Sequence, residues 1–564
     1  MAIRNFVTSD LKIKTWDDIK QYFEEILQRP LSDINELKKW LKDRSELESV
    51  ISEDLAWRYV RMTCDTSDQE KVDSYTFFVS EIEPQISPIS NKLDEKVLAS
   101  PYKAQLTGKE YEIMFRSIEK NIQVFREENV PILSEIAQES QKYGGIVGKM
   151  MVEIDGEEVT LPKASDKLQS TDRKEREDVY RKINNRRLQD ANELNDLFNK
   201  LILLRNSIGI NAGFSNFRDY MFVAMGRFDY TKEDCFDFHD AVQNEIVPLL
   251  NALAEDRKQK LKLSELRPWD LSVDKTGKPA LKPFSGGEDL LQKTIQCFDK
   301  LDPFLGDCLR EMKKMGRFDL ESRKGKAPGG YNYPMEETGY PFIFMNATSN
   351  FRDMITLLHE GGHAVHSVLT KDLELNSFRG ITSETAELAS MSMELITMDH
   401  WDIFFPDVED LKRAKRMHLE QIIETLPWVA TIDKFQHWIY ENPNHTVDQR
   451  KTKWDELHSA FSSSVIDWSG LQTFKDNIWQ KQLHLYEVPF YYIEYGIAQL
   501  GAVAVWKNYK ENPDKGLKQY MAALSLGYTK PIKEIYDTAG IRFDFSKKYI
   551  QELMQFVKSE LENL

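Results

Sequence analysis

The sequence predicts a mainly α protein that carries one β-hairpin and one further patch of short strands. Three features support this. Apolar residues recur at helical spacing through most of positions 1–145 and again from 351 to the end. Glycine and proline concentrate in roughly 265–350, and 151–162 alternates apolar and polar residues around Asp155-Gly156.

In chain order, Trp16, Ile19, Tyr22, Phe23, Ile26 and Leu27 form the apolar stripe of a first helix, with Thr15 and Asp18 spaced as a capping box. The charge-rich amphipathic pattern continues to about 145. Val152/Ile154 and Val159/Leu161 then flank Asp155-Gly156, a pair suited to the positive φ angles of a two-residue hairpin turn. Residues 166–206 predict a long charged helix or a helix pair whose charge runs form a solvated face. SGGED (285–289), KGKAPGGYNYP (324–334) and ETGYP (337–341) mark loops. Phe342–Met345 suits a strand, with Arg317–Leu320 as its neighbour.

At 564 residues the chain exceeds one ordinary domain. The expected division is an N-terminal helical lobe with the hairpin, 1–200, and a second domain, 201–564, which holds all ten histidines. Seventy-five basic against 92 acidic residues give a net charge of −17. Such a surface repels phosphate backbones and anionic lipid, so neither nucleic acid nor membrane is an expected partner. Four cysteines form no C-x-x-C pair, which indicates neither a disulfide scaffold nor a thiolate zinc site; Cys297 and Cys308 are expected as buried apolar fillers. The first twenty residues contain no apolar signal segment, and no run of about 18 apolar residues occurs, so a soluble, cytoplasmic protein is expected.

The segment that carries chemistry is Leu358-His359-Glu360-Gly361-Gly362-His363-Ala364-Val365-His366. His359 and His363 stand at i, i+4 on a helix that Asn350 and Asp353 open, so one helix face offers two imidazoles to a zinc ion, with Glu360 beside them. Phe351, Met354, Ile355, Leu357, Leu358, Val365 and Val368 make this helix apolar nearly all round. Burying His359, Glu360 and His363 together without a ligand would leave polar groups unpaired. Gly361 and Gly362 each cost about 1 kcal/mol relative to Ala in mid-helix, so a substrate or another helix is expected to approach closely. His366 lies about 10.5 Å further along the axis than His359 and cannot share the same ion. The third ligand must come from elsewhere, and Glu384 and Glu387, which share a face of the helix Thr382–Glu394, are both candidates. On the residues alone, His484–Gly496, with Tyr491, Tyr492 and Tyr495, also reads as an aromatic core stripe.

H-E-G-G-H with a glutamate 24 residues after its second histidine, in S-E-T-A-E-L-A-S-M-S-M-E, resembles the thimet oligopeptidase superfamily of zinc metallopeptidases, and within it the oligoendopeptidase F branch. The resemblance covers most of the chain, including the 151–162 hairpin and KGKAPGG. It implies Glu387 as the third ligand of one Zn2+ per chain, and Glu384 on the acidic position that orients a ligand. It also implies that His484, Tyr492 and Tyr495 hold the substrate carbonyl oxygen in the transition state. Where thimet-type members have a glycine-rich loop, this chain has Val488-Pro489-Phe490. The implied fold is a two-lobed helical clamshell whose deep channel admits short peptides, with a small β-sheet near the active site.

The expected activity is therefore zinc-dependent hydrolysis of internal bonds in short unfolded peptides by metal-activated water, with Glu360 as general base. Phe342, Ile343 and Phe344 are expected to bind the peptide backbone by β-addition along Pro341–Asn346. A zinc carboxypeptidase and a catalytically silent peptide binder are the competing readings. Glu360 argues against the silent binder, because holding zinc does not need that carboxylate.

Overall fold

A computed structural model describes residues 4–564. It is mainly helical, a two-lobed clamshell with two small sheets. The first helix runs Asp17–Gln28 and buries Ile19, Tyr22, Phe23 and Ile26. Only half of the expected capping box forms. Asp18 Oδ2 accepts from the Thr15 backbone N–H at 2.8 Å, but the Thr15 hydroxyl donates to the same carboxylate instead of accepting from the helix, and Trp16 takes the N-cap position.

The hairpin forms as the sequence predicts. β1 (Met151–Ile154) pairs antiparallel with β2 (Glu157–Thr160), Val152 opposite Val159, and the turn residues Asp155 and Gly156 have φ of 55° and 81°. Val152, Ile154 and Val159 pack into a core with Tyr143, Val179 and Ile183. The charged stretch after it is a helix pair, Arg173–Gln189 and Ala191–Asn211, with Asp172 capping the first by accepting from the Lys174 and Glu175 amides. The second of these helices runs through residue 200. Its Leu194, Phe198 and Leu201 share a core with Phe435, Trp454, Trp479 and Tyr486 from the far end of the chain. A separate core, from Val7 to Ile118, supports the N-terminal lobe and also takes in Leu375 and Phe378.

The second sheet has the order β3-β5-β4. β5 (Phe342–Ala347) lies in the middle, parallel to β3 (Phe318–Glu321) and antiparallel to β4 (Tyr331–Tyr333). Lys326, 9% exposed, fastens it: its ammonium donates to the Asp319 and Glu321 carbonyls at 3.0 and 2.9 Å, to the Met345 carbonyl, and to Asp319 Oδ1 at 2.8 Å. Among the described residues, no helix is long and apolar enough to cross a membrane.

Candidate metal centre and active site

The helix Phe351–Thr370 opens with the expected capping box: Asn350 Oδ1 accepts from the Asp353 amide at 2.9 Å, and the Asp353 carboxylate accepts from the Asn350 amide at 3.2 Å. Its two glycines face other elements. A Cβ on Gly362 would lie 2.6 Å from Ser390 Cα and 2.8 Å from the Ala389 carbonyl oxygen, and one on Gly361 would lie 2.7 Å from the Phe298 ring. The close neighbour is therefore the acidic helix Ser383–Ile396, whose backbone reaches the motif helix only because residue 362 lacks a side chain.

That contact brings together the candidate metal ligands. Ligand-capable atoms of His359, His363 and Glu387 all lie within 4.8 Å of one another. Glu387 Oε2 is 3.3 Å from His359 Nε2 and 3.9 Å from His363 Nε2. Two imidazole nitrogens and one carboxylate oxygen, converging at a partly buried point, form the donor set that catalytic zinc takes, with a position left for water or substrate. These residues fit the metal. Two histidines and the Tyr491 hydroxyl, which donates to Oε1 at 2.8 Å, hold the Glu387 carboxylate down at about 2 despite the opposing effect of burial. Burial pushes His363 down to about 4, so it presents a neutral lone pair.

Glu360 is 7% exposed, and burial raises its carboxyl to about 7. Its backbone carbonyl accepts from Asn332 Nδ2 of β4 at 3.2 Å, which ties the small sheet to the motif helix at Glu360. His366 is 1% exposed and stands apart from the metal ligands, as its spacing requires.

Behind the histidines the structure departs from expectation. Glu384 does not orient a ligand: it accepts from the Tyr230 hydroxyl at 2.5 Å in a buried pocket that also holds Arg227 and Glu494. The orienting carboxylate is Glu394, whose Oε1 lies 2.6 Å from His359 Nδ1. On one helix, Glu387 and Glu394 are seven residues apart and return to one face after two turns, whereas Glu384 projects about 60° away from Glu387.

The His/Tyr element assembles in part. Gln482 Oε1 accepts from Trp428 Nε1 at 3.0 Å, which fixes the amide so that its Nε2 donates to His484 Nδ1 at 2.7 Å. The ring proton then belongs on Nε2, 3.3 Å from the Tyr495 hydroxyl, and burial lowers His484 to about 4, so the ring is a neutral donor at physiological pH. Tyr492 packs edge-on to His484 and turns toward Trp428 and Gln482. Tyr491, not among the expected site residues, is the tyrosine whose hydroxyl donates to Glu387, a candidate metal ligand. Its i, i+4 relation to Tyr495 was the available signal.

The expectation that Phe342, Ile343 and Phe344 bind substrate requires correction. β5 is the middle strand, with Ile343 and Phe344 paired to both β3 and β4 and Phe342 to β4, and the three side chains are 5%, 0% and 0% exposed. Phe344 stacks on Tyr331 with ring centroids 4.8 Å apart, and Phe342 packs edge-on against Trp57. β4 is the edge strand.

A helical clamshell with a His/His/Glu centre and a buried carboxylate between the two histidines defines the metallopeptidase class. Comparison with known proteins identifies the chain's family. The model of peptidase family M3 matches residues 167–555, that of the peptidase M3 N-terminal domain matches 6–125, and the chain belongs to this family, on its oligoendopeptidase F branch. It is 25% identical over 330 residues to an oligoendopeptidase F homologue of Borreliella burgdorferi, an alignment spanning 57% of this chain and 54% of that one. The chain spans about half the length of the curated relatives it matches. Among solved structures it is similar to PZ peptidase A in complex with an inhibitor, with a TM-score of 0.93 and 27% identity over 99% of each chain. It is also similar to a protein assigned as oligoendopeptidase F, with a TM-score of 0.92 and 27% identity over 100% of this chain and 99% of the other.

Proposed function

We propose that the protein is a zinc-dependent oligoendopeptidase that cleaves internal bonds of short unfolded peptides. The observation that carries this reading is the convergence of His359, His363 and Glu387 within 4.8 Å on two helices, with Glu360 on the same motif helix. Zinc held there would supply a Lewis acid for the scissile carbonyl and lower the pKa of a water toward about 7.

The chain's own residues do the rest. Glu360 takes the proton of the attacking water on its carboxylate and returns it to the leaving amine. His484 Nε2–H and the Tyr495 hydroxyl donate to the oxygen that becomes negative. Glu394 fixes the His359 ring, and Tyr491 fixes Glu387. The open edge of β4, tied to Glu360 through Asn332, offers backbone donors and acceptors to an extended peptide, a mode that reads backbone more than sequence and suits broad specificity.

Mass spectrometry of peptides of roughly 5 to 20 residues, blocked at both ends, tests the reading. Internal cleavage is expected. Trimming confined to peptides with a free C-terminus would establish a carboxypeptidase instead, and binding without cleavage would establish a silent binder.

A further inference from the structure

A second constellation of metal-ligating side chains lies away from the catalytic centre. The helix Lys232–Ala241 presents Cys235 and His239 at i, i+4, and the facing helix Val408–Glu441 presents Asp433 and His437 at the same spacing. All four are buried, with exposures of 2%, 0%, 0% and 3% in that order. We propose that Cys235, Asp433 and His437 form a second, structural site for a zinc-class divalent cation, with His239 holding Asp433 in place.

The geometry fits a bound cation. Ligand-capable atoms of Cys235, Asp433 and His437 lie within 4.8 Å of one another, and Asp433 Oδ2 is 3.3 Å from His437 Nε2. Zinc–ligand bonds of about 2.0–2.3 Å place tetrahedral donors roughly 3.3–3.8 Å apart, so small side-chain rotations close the site. His239 Nε2 contacts Asp433 Oδ2 at 2.8 Å, the position from which a histidine steadies a ligating carboxylate.

The cluster also lacks partners of its own. Asp433 Oδ1, His239 Nδ1 and His437 Nδ1 are buried without a hydrogen bond, and His437 Nε2 meets only Asp433 Oδ2, at 3.3 Å. The rings of Phe222, Phe236 and Phe490 pack against His437, and the cation acting on the Cys235 thiol is the buried Arg227 guanidinium. Buried polar atoms are ordinarily satisfied, and three orphans in one pocket beside a thiol point to a missing ligand. A cation would accept the carboxylate and imidazole lone pairs and take the thiolate, with the thiol proton released to solvent. Soft sulfur with nitrogen and oxygen selects zinc or cobalt over magnesium or calcium.

The site has a structural use. It would pin two helices together directly beneath Phe490, which has φ of 67° and whose amide donates to Gln436 Oε1 at 2.6 Å, at the turn that launches Tyr491 and Tyr495. The absence of C-x-x-C hides such a site, because its ligands come as C-x-x-x-H and D-x-x-x-H about two hundred residues apart.

Metal analysis and cobalt spectroscopy of the full chain test this without reference to catalysis. After loading and removal of free metal, the wild type should hold about two zinc equivalents, and the His359→Ala/His363→Ala variant about one. Cobalt bound by a thiolate gives an intense near-ultraviolet charge-transfer band, which a His/His/Glu centre lacks. The band should appear in the wild type, persist in His359→Ala/His363→Ala and vanish in Cys235→Ser. One equivalent and no band in the wild type, or a band that survives Cys235→Ser, would overturn the assignment. Should Cys235→Ser fail to fold, the wild-type and histidine-variant spectra still decide.

Discussion

Glu394 Oε1 lies 2.6 Å from His359 Nδ1, and Glu387 Oε2 lies 3.3 Å from Nε2 of the same ring, so one helix holds this imidazole from both ends. The pairing fixes which nitrogen would face a metal held there. Glu394→Gln should therefore weaken zinc affinity or activity about 10–100-fold. Glu384→Gln should leave metal affinity unchanged and lower Tm, because Glu384 serves the pocket with Tyr230 and Arg227. Competition with a chromogenic chelator separates the two variants.

The three tyrosines should separate by readout. Tyr495→Phe removes a donor beside His484 and should lower kcat about 10²–10³-fold, with KM nearly constant. Tyr491→Phe releases Glu387 and should raise the zinc dissociation constant as well. Tyr492→Phe should do the least, since that side chain turns toward Trp428 and Gln482. Steady-state kinetics with saturating and limiting zinc would distinguish them.

Gly362→Ala sets a methyl group against backbone at 2.6 and 2.8 Å, and neither Ser390 nor Ala389 can yield without moving the helix that carries Glu387. The gain of about 1 kcal/mol in helix propensity is outweighed by overpacking of roughly 1–3 kcal/mol or more. Tm and zinc affinity should fall together. Gly361→Ala meets only the Phe298 ring, so calorimetry should show a smaller loss.

Acid should loosen the small sheet. Burial alone would raise Asp319, but the pairs with Arg323 and Lys326 overcome it and bring the carboxyl from 3.8 to about 2. A carboxyl depressed in the folded state contributes stability above its unfolded pKa, and that contribution is lost as pH falls from about 4 through about 2. The shift corresponds to on the order of 2 kcal/mol. Lys326→Met should cost about 1–3 kcal/mol at neutral pH, by leaving carbonyls of β3 and β5 unpaired. It should also flatten the stability profile over that acid window in denaturant titrations.

Where periodicity and local chemistry dominate, the sequence was readable. Asn350 and Asp353 cap the motif helix, Asp155-Gly156 turns the hairpin, and H-E-G-G-H places two ligand candidates on one face, all by interactions within a few residues. What failed depended on which way a helix rotates or which strand lies in the middle. Glu384 and Glu394 are both acidic residues on one short helix, and only its packing against Gly362 decides which reaches His359. Phe342–Phe344 reads correctly as a strand, but its place between β3 and β4 follows from non-local pairing that no local pattern encodes.

The most direct measurement compares wild type with Glu360→Gln on one end-blocked peptide, with bound zinc quantified in both. The variant should retain its zinc and lose at least about 10²–10⁴-fold in kcat/KM. Undiminished cleavage by a zinc-loaded, folded Glu360→Gln protein would contradict the assignment of Glu360 as the base, and with it the proposed chemistry of the site.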